Sequence, residues 1–378
     1  MNFTFTEEQL LIRETAERFF RDDYGIDTRR HNVAMPDGFC RETWARYADL
    51  GWLALGIDED FGGVGGGAVE MAVMMEAFGR GLAVEPYLST CVLGGALLRL
   101  GAADGVKPAL LGQLAEGKLL LSFAYSEARS RYDLNHVECR AVKDGGEYKV
   151  TGEKTVALHA GQADKIAVTA RTGGDARDAG GITVFLIDRD APGVTVRDYP
   201  TVDGFRAGSV RLDDVAVDAA RVLGDVDGGL ALIEQVVDFG AAMLAAEAAG
   251  VMAALTDQTV TYLKERKQFG RPLGDNQALQ HRATEMYIET ELTRSLAYMA
   301  AVRADDADRT AAARAASKAK VKTGRAGRLI GQEAVQLHGG MGVTEEMPVG
   351  HYFKRLTMID HTFGDAAHHL ARLAENPA

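Results

Sequence analysis

At 378 residues, 47% of them hydrophobic, the chain can bury a large core, and its length fits two or three layers or domains. Its formal net charge of −12 and pI near 5.3 argue against a general nucleic-acid or anionic-membrane surface, since either needs a dominant basic field. The three cysteines, Cys40, Cys91 and Cys139, stand far apart and outside any CxxC spacing, which speaks against a disulfide framework or a zinc site and fits a reducing cytoplasm.

The opening "MNFTFTEEQLLIRETAERFF" has no basic segment ahead of an apolar one, and no apolar run is expected to reach the roughly 20 residues of a membrane span. A cytoplasmic protein with no membrane segment is the expectation. From Thr6 the pattern is helical: a Thr cap leads Leu10, Ile12, Phe19 and Phe20 at near-helical spacing. "ETWARYADLGWLALG" and "AVEMAVMMEAFGRG" continue it to about Lys118. Between about Leu119 and Val222 the period falls to two, in runs such as "EYKVTG", "KIAVTAR" and "GITVFLID" set off by Gly- and Asp-rich turns, which predicts an antiparallel β domain. From Asp227 three helices of about 28 residues or more follow, with a solvated turn at "ADDADRT", and their length predicts a bundle. The expected architecture is multi-domain α+β: a helical domain over 1–118, a middle antiparallel β domain over 119–225 and a helical bundle over 226–378.

"FGGVGGGAVE", residues 61–70, contains a partial G-x-G-x-x-A. No strand precedes it and no acidic residue follows a second strand, so a turn opening a helix is expected and not a dinucleotide fold. No G-x-S-x-G elbow, Walker loop, HExxH or DxDxDG occurs, which leaves acyl-serine, nucleotide-hydrolysing and simple metal chemistry without support. His368 and His369 are expected to face solvent from the last helix.

Two stretches exceed ordinary punctuation. In "YLKERKQFGRPLGDNQALQHR", residues 262–282, Arg and Lys ahead of Gly and Pro form a normal helix end, but Phe269 and the second Arg stay unexplained. In "QLHGGMGVTEEMP", residues 336–348, Gly339, Gly340 and Gly342 stand where a helix stop needs one glycine, and they let backbone approach a bulky ligand. Amides in such a turn can receive a phosphate, which Arg266 and Lys267 can neutralise.

Together the two stretches resemble the acyl-CoA dehydrogenase family, over essentially the whole chain. The first is similar to its R-x-Q-F-G-x-P-(I/L)-x-x-x-Q signature and the second to its Q-x-x-G-G-x-G. The resemblance implies a flavoprotein with an N-terminal helical domain, a middle β domain and a C-terminal four-helix bundle. Its activity would be α,β-dehydrogenation of an acyl-CoA thioester, with FAD as cofactor and electron-transfer flavoprotein as electron acceptor, in fatty-acid or steroid side-chain β-oxidation. It also implies that these segments of one subunit bind the adenine and pyrophosphate end of an FAD held mainly by a neighbour. Arg266 would then meet the pyrophosphate and Phe269 pack near the adenine, while Gln268, Gln277, Gln336, Gly339, Gly340 and Gly342 supply the other contacts.

The family's reaction needs a carboxylate to take the α proton while the β hydrogen leaves as hydride. Where some members carry that Glu in Y-E-G-T, this chain has Phe363, Gly364 and Asp365 at the last three positions; where others carry it in L-x-x-E-R, it has Gly240. Neither base is present, so Glu247 and Asp365, with Asp360, are the candidate substitutes. The flavin face departs as well. T-E-P-x-A-G-S-D reads "SEARSRYD", keeping Glu127 and Asp133, and K-x-(W/F)-I-(T/S)-N-(G/A) reads "KTVALHA", with Val156 for the aromatic and Leu158 for the hydroxyl. An intact adenine end beside an eroded isoalloxazine end resembles the smaller, base-lacking subunit of heterotetrameric acyl-CoA dehydrogenases. Three readings follow: such a subunit, completed by a partner that brings base and flavin face; a self-sufficient homotetramer with an unusual base; and a scaffolding paralogue that binds no flavin.

Overall fold

The computed structural model describes residues 5–268 and 270–375. It opens with α1 (Glu7–Asp22), α2 (Ile26–Ala34), α3 (Arg41–Asp49) and α4 (Ala68–Gly81). Thr6 caps α1 as its position predicts: Thr6 Oγ1 accepts from the Gln9 amide at 3.2 Å and Gln9 Oε1 from the Thr6 amide at 3.0 Å, so two donors without helical partners are satisfied. The glycine stretch is a turn into α4. A π-helical segment, Leu88–Gly94, runs into α5 (Gly95–Gly101), and α6 (Lys107–Ala115) follows.

The strands are β1 (Leu121–Ala124), β2 (Arg140–Asp144), β3 (Glu147–Leu158), β4 (Lys165–Arg171), β5 (Ile182–Asp188), β6 (Val194–Pro200), β7 (Arg206–Asp218) and β8 (Val222–Leu223). They form one sheet in the order β6-β7-β3-β2-β4-β5-β8, with β1 also paired to β4. β4 and β5 are buried along almost their whole length, which is why they read as unbroken apolar runs. Most pairs are antiparallel, but β1 and β2 both run parallel to β4. The sheet is therefore mixed and not purely antiparallel as expected, because a period of two reports which face is buried and carries no strand direction.

After the sheet come α7 (Gly229–Glu265), a short hairpin of β9 (Lys267–Gln268) and β10 (Arg271–Pro272), α8 (Gln277–Ala304), α9 (Arg309–His338), a 3₁₀ turn (Gly339–Val343), α10 (Pro348–His361) and α11 (Ala366–Glu375). The three long helices are those expected from the sequence. At the solvated turn, Asp308 caps α9 by accepting from the Ala311 amide at 3.0 Å. By length and composition α7 does carry a run apolar enough to cross a membrane, but that window is wholly buried inside the protein.

The chain forms two compact units: one of residues up to His31, Ala68–Ala83 and residues from Ala241 on, the other of Asn32–Gly67 and Val84–Gly240. In the first, α4 and α7 meet backbone to backbone. A Cβ on Gly79 would lie 2.0 Å from the Glu247 carbonyl oxygen, and one on Gly250 would lie 1.9 Å from that of Glu76. The Glu76 carboxylate then ties in α8, accepting from Arg294 Nε at 2.8 Å and from Tyr298 Oη at 2.7 Å. The second unit holds the sheet and the π-helical segment.

Candidate cofactor site and base positions

The last turns of α7 and α9 lie side by side. The Tyr262 ring stacks on that of His338 with centroids 4.4 Å apart and planes 26° apart, and Tyr262 Oη donates to the His338 carbonyl at 3.4 Å. Two stretches distant in sequence are thus neighbours. The Arg266 amide donates to the Tyr262 carbonyl at 2.8 Å and the Leu273 amide to that of Arg266 at 2.8 Å, so the β9–β10 hairpin is folded directly onto the helix end. Arg266 and Lys267 are exposed, and neither side chain has an ion-pair partner among the described residues. Gln277 and Gln336 are exposed on the first turn of α8 and the last of α9, while the exposed Gln268 amide turns back to donate to the Lys267 carbonyl at 2.8 Å. Phe269 lies outside the described residues.

The three glycines of the turn differ. Gly339 sits at φ 59°, ψ −141°, a conformation essentially restricted to glycine. Gly340 has ordinary φ and nothing within 4 Å of where a Cβ would be, so nothing in the chain itself demands a glycine there. Gly342 is buried, and its Cβ would come 2.7 Å from the Val335 carbonyl oxygen, so its role is internal packing. Exposed backbone at Gly339 and Gly340 and an exposed Arg266 without an ion-pair partner among the described residues thus follow two helix ends that are in contact.

The base candidates are placed differently. Glu247 is buried, and its two oxygens accept from Arg355 Nε at 2.5 Å and Nη2 at 2.8 Å. Asp365 Oδ1 accepts from the His368 amide at 2.8 Å, at the start of α11, and Asp360 Oδ1 from the Ala366 amide at 3.2 Å. The loop between them is fastened from inside. Lys320, fully buried, donates through Nζ to the carbonyls of Ile359, of Asp360 at 3.2 Å and of Thr362 at 2.8 Å. Burial pulls its pKa down to about 7, against the opposing pull of Asp360 and Asp365. Phe363 is buried at φ 62°.

His369 holds the same loop and corrects the expectation of a solvent-facing pair. It is 1% exposed; Nε2–H donates to the Phe363 carbonyl at 3.0 Å and Nδ1 accepts from Ser317 Oγ at 3.1 Å. Burial, with the nearby Lys320, pushes its pKa down to about 3. His368 is half-buried. Among the described residues no cluster could hold a metal. The roles of Lys320 and His369 escaped sequence reasoning because both depend on tertiary neighbours.

In the sheet unit, Glu127 is consumed by structure: its carboxylate accepts from Lys154 Nζ at 2.6 Å and from the amides of Glu138 at 2.7 Å and Cys139 at 3.0 Å. Burial raises the Cys139 thiol to about 11. Asp133 is exposed and pairs with Arg177 at 3.2 Å. Val156 is exposed at φ 53° in a register shift between β3 and β7, an unfavourable conformation for a β-branched residue. Leu158 is half-buried, and its carbonyl accepts from Ser122 Oγ at 2.7 Å. Arg171, which the sequence did not single out, is buried and donates to the carbonyls of Asn135, Ala176, Asp178 and Gly180, fixing the loops on either side.

Sequence models of the acyl-CoA dehydrogenase N-terminal, middle and C-terminal domains match residues 6–118, 122–215 and 227–376. The chain is 29% identical to "Probable acyl-CoA dehydrogenase YngJ" of Bacillus subtilis, over 99% of this chain and 98% of that one. A variant of the Tcur3481-Tcur3483 steroid ACAD superposes with a TM-score of 0.88 at 31% identity, over 98% of this chain and 97% of that one. A chain of the ChsE4-ChsE5 complex from Mycobacterium tuberculosis superposes with a TM-score of 0.89 at 27% identity, over 100% of both chains. The chain belongs to the acyl-CoA dehydrogenase family, oxidoreductases that act on CH–CH groups with FAD as cofactor.

Proposed function

We propose that this chain is the base-lacking subunit of a heteromeric acyl-CoA dehydrogenase, gripping the adenine and pyrophosphate end of an FAD whose flavin face and catalytic base belong to a partner subunit. The observation that carries this reading is an asymmetry in what the polar side chains are already doing. The Arg266, Gln277 and Gln336 side chains are exposed at the phosphate-end segments with no hydrogen-bonded or ion-paired partner among the described residues, whereas Glu247, Asp360, Asp365 and Glu127 are each engaged inside the chain. The likeness to chains of the Tcur3481-Tcur3483 and ChsE4-ChsE5 assemblies supports it.

FAD, when bound, supplies the hydride acceptor for oxidation of the acyl-CoA. This chain's residues contribute binding: Arg266 neutralises phosphate charge, the backbone at Gly339 and Gly340 admits the phosphates closely, and Gln277 and Gln336 offer polar contacts. The cytoplasm, an acyl-CoA substrate and an electron-transfer flavoprotein as acceptor complete the reading. The test is to purify the chain alone and with a co-expressed acyl-CoA dehydrogenase partner, then measure flavin content and bleaching by acyl-CoA. Flavin and bleaching are expected with the partner only. Bleaching by the pure homo-oligomer would sink the proposal, and a colourless assembly with every candidate partner would replace it by a scaffolding role.

A further inference from the structure

We infer that Tyr262 and His338 are positioning residues for the cofactor's ADP end, setting the Arg266 hairpin and the glycine turn at the spacing at which one pyrophosphate can touch both; this rests on the function proposed above. Each ring stands next to a ligand segment. Tyr262 is one helical turn ahead of Arg266, whose amide donates to the Tyr262 carbonyl at 2.8 Å, and His338 directly precedes Gly339. The contact is double, a ring stack with centroids 4.4 Å apart and a hydroxyl on the His338 carbonyl at 3.4 Å.

That second contact reaches into the turn. The His338 carbonyl and the Gly339 amide share one rigid peptide plane, so a hydroxyl that holds the carbonyl also sets where the turn begins, and the Gly339 amide is fixed in turn on the Gln336 carbonyl. The His338 ring cannot swivel freely, because its Nδ1–H donates to the Ala334 carbonyl at 2.8 Å. Burial depresses its pKa, which favours the neutral ring that this bond and the stack on Tyr262 hold. A stack that only joined two helices would need neither the hydroxyl on the residue before the glycines nor a ring locked in one tautomer.

The experiment compares Tyr262→Ala, Tyr262→Phe, His338→Ala, His338→Phe and Arg266→Ala in the co-purified assembly. Its readouts are the FAD dissociation constant, followed by flavin absorbance and fluorescence, and the melting of the flavin-free chain. Both alanine variants are expected to weaken FAD binding by about tenfold or more, both phenylalanine variants, which keep a ring but lose the hydroxyl or the Nδ1–H, by about threefold to tenfold, and the flavin-free chain to keep its fold. If Arg266→Ala loses FAD while the alanine variants keep it, this inference fails alone. If Arg266→Ala also keeps FAD, the proposed function fails with it. Phenylalanine variants that bind FAD as tightly as the parent, or a loss that accompanies unfolding of the flavin-free chain, would make the stack merely structural and overturn the positioning role.

Discussion

Glu247 and Arg355 close on each other inside the helical unit, with Arg355 Nε and Nη2 donating to the two carboxylate oxygens at 2.5 and 2.8 Å and both side chains 7% exposed. A planar guanidinium matched to both oxygens is the strongest arrangement available to a buried carboxylate. It sits where α4 and α7 are in backbone contact, since the Glu247 carbonyl is the atom a Cβ on Gly79 would strike. The Glu247 carboxylate, about two turns beyond the Gly240 slot on α7, thus joins α7 to α10, and a carboxylate held by two charge-assisted bonds is ill placed to abstract a substrate proton.

Glu247→Gln should therefore separate stability from catalysis. The amide keeps the size and one acceptor but removes the carboxylate charge that the buried guanidinium grips with two bonds, at a cost of about 2–4 kcal/mol. Turnover of the assembled enzyme, measured below the variant's melting range, should stay within a few-fold. A loss above roughly a hundredfold with FAD content unchanged would restore Glu247 as the base.

Arg266→Ala should lower FAD occupancy and leave the fold intact, because the side chain is exposed and touches no ion-pair partner among the described residues. Losing one charge-assisted contact to a phosphate costs about 1.5–3 kcal/mol. The assembly should also dissociate at higher concentration than the parent, since a cofactor shared between subunits stabilises their association by mass action. Sedimentation with flavin absorbance reads both effects at once.

Gly79→Ala and Gly250→Ala test the helix crossing. Each methyl would fall about 2 Å from a backbone oxygen of the other helix, and backbone cannot swing aside as a side chain does. Although alanine is the better helix former by roughly 1 kcal/mol, forced separation should outweigh this and leave each variant about 1–3 kcal/mol less stable by chemical denaturation. A stabilised variant would mean that the helices stand further apart.

The architecture was legible where a local pattern is tied to a single cause. Helices of 37, 28 and 30 residues announce a bundle by length alone, and the Thr6 cap shows in the spacing of Thr6 and Gln9. Strand direction was not legible, because β1 and β2 are set beside β4 by chain topology. Of the site, the outward-facing part could be read: Arg266 and Gly340 are residue types for which the chain itself supplies no reason, so their presence points to something outside it. The inward-facing part could not. Nothing near Glu247 in sequence announces Arg355, 108 positions away, and Lys320 and His369 look like surface residues until the carbonyls of the 359–363 stretch are seen to surround them.

His369 makes the last prediction, a dependence of stability on pH. Its folded pKa of about 3 lies below the ordinary 6.5 because burial and the nearby Lys320, His368 and Arg372 disfavour the charged ring. As pH falls through 6.5 the unfolded chain binds a proton that the folded chain refuses until about 3, so this group's stabilisation is complete above 6.5 and is lost progressively as pH falls between those values. Within the window its contribution declines on the order of 1 kcal/mol per pH unit. His369→Gln, which can still donate to the Phe363 carbonyl and accept from Ser317, removes the titration and keeps much of the bonding. Denaturation between pH 7 and 5, where the carboxylates of the chain stay largely ionised, should show a steep decline for the parent and a shallower one for the variant, with His338 and His351, both also depressed by burial, contributing equally to each. Parallel declines would mean that the ring is protonated in the folded protein, and the loop in place of the family's base would then be held by an imidazolium.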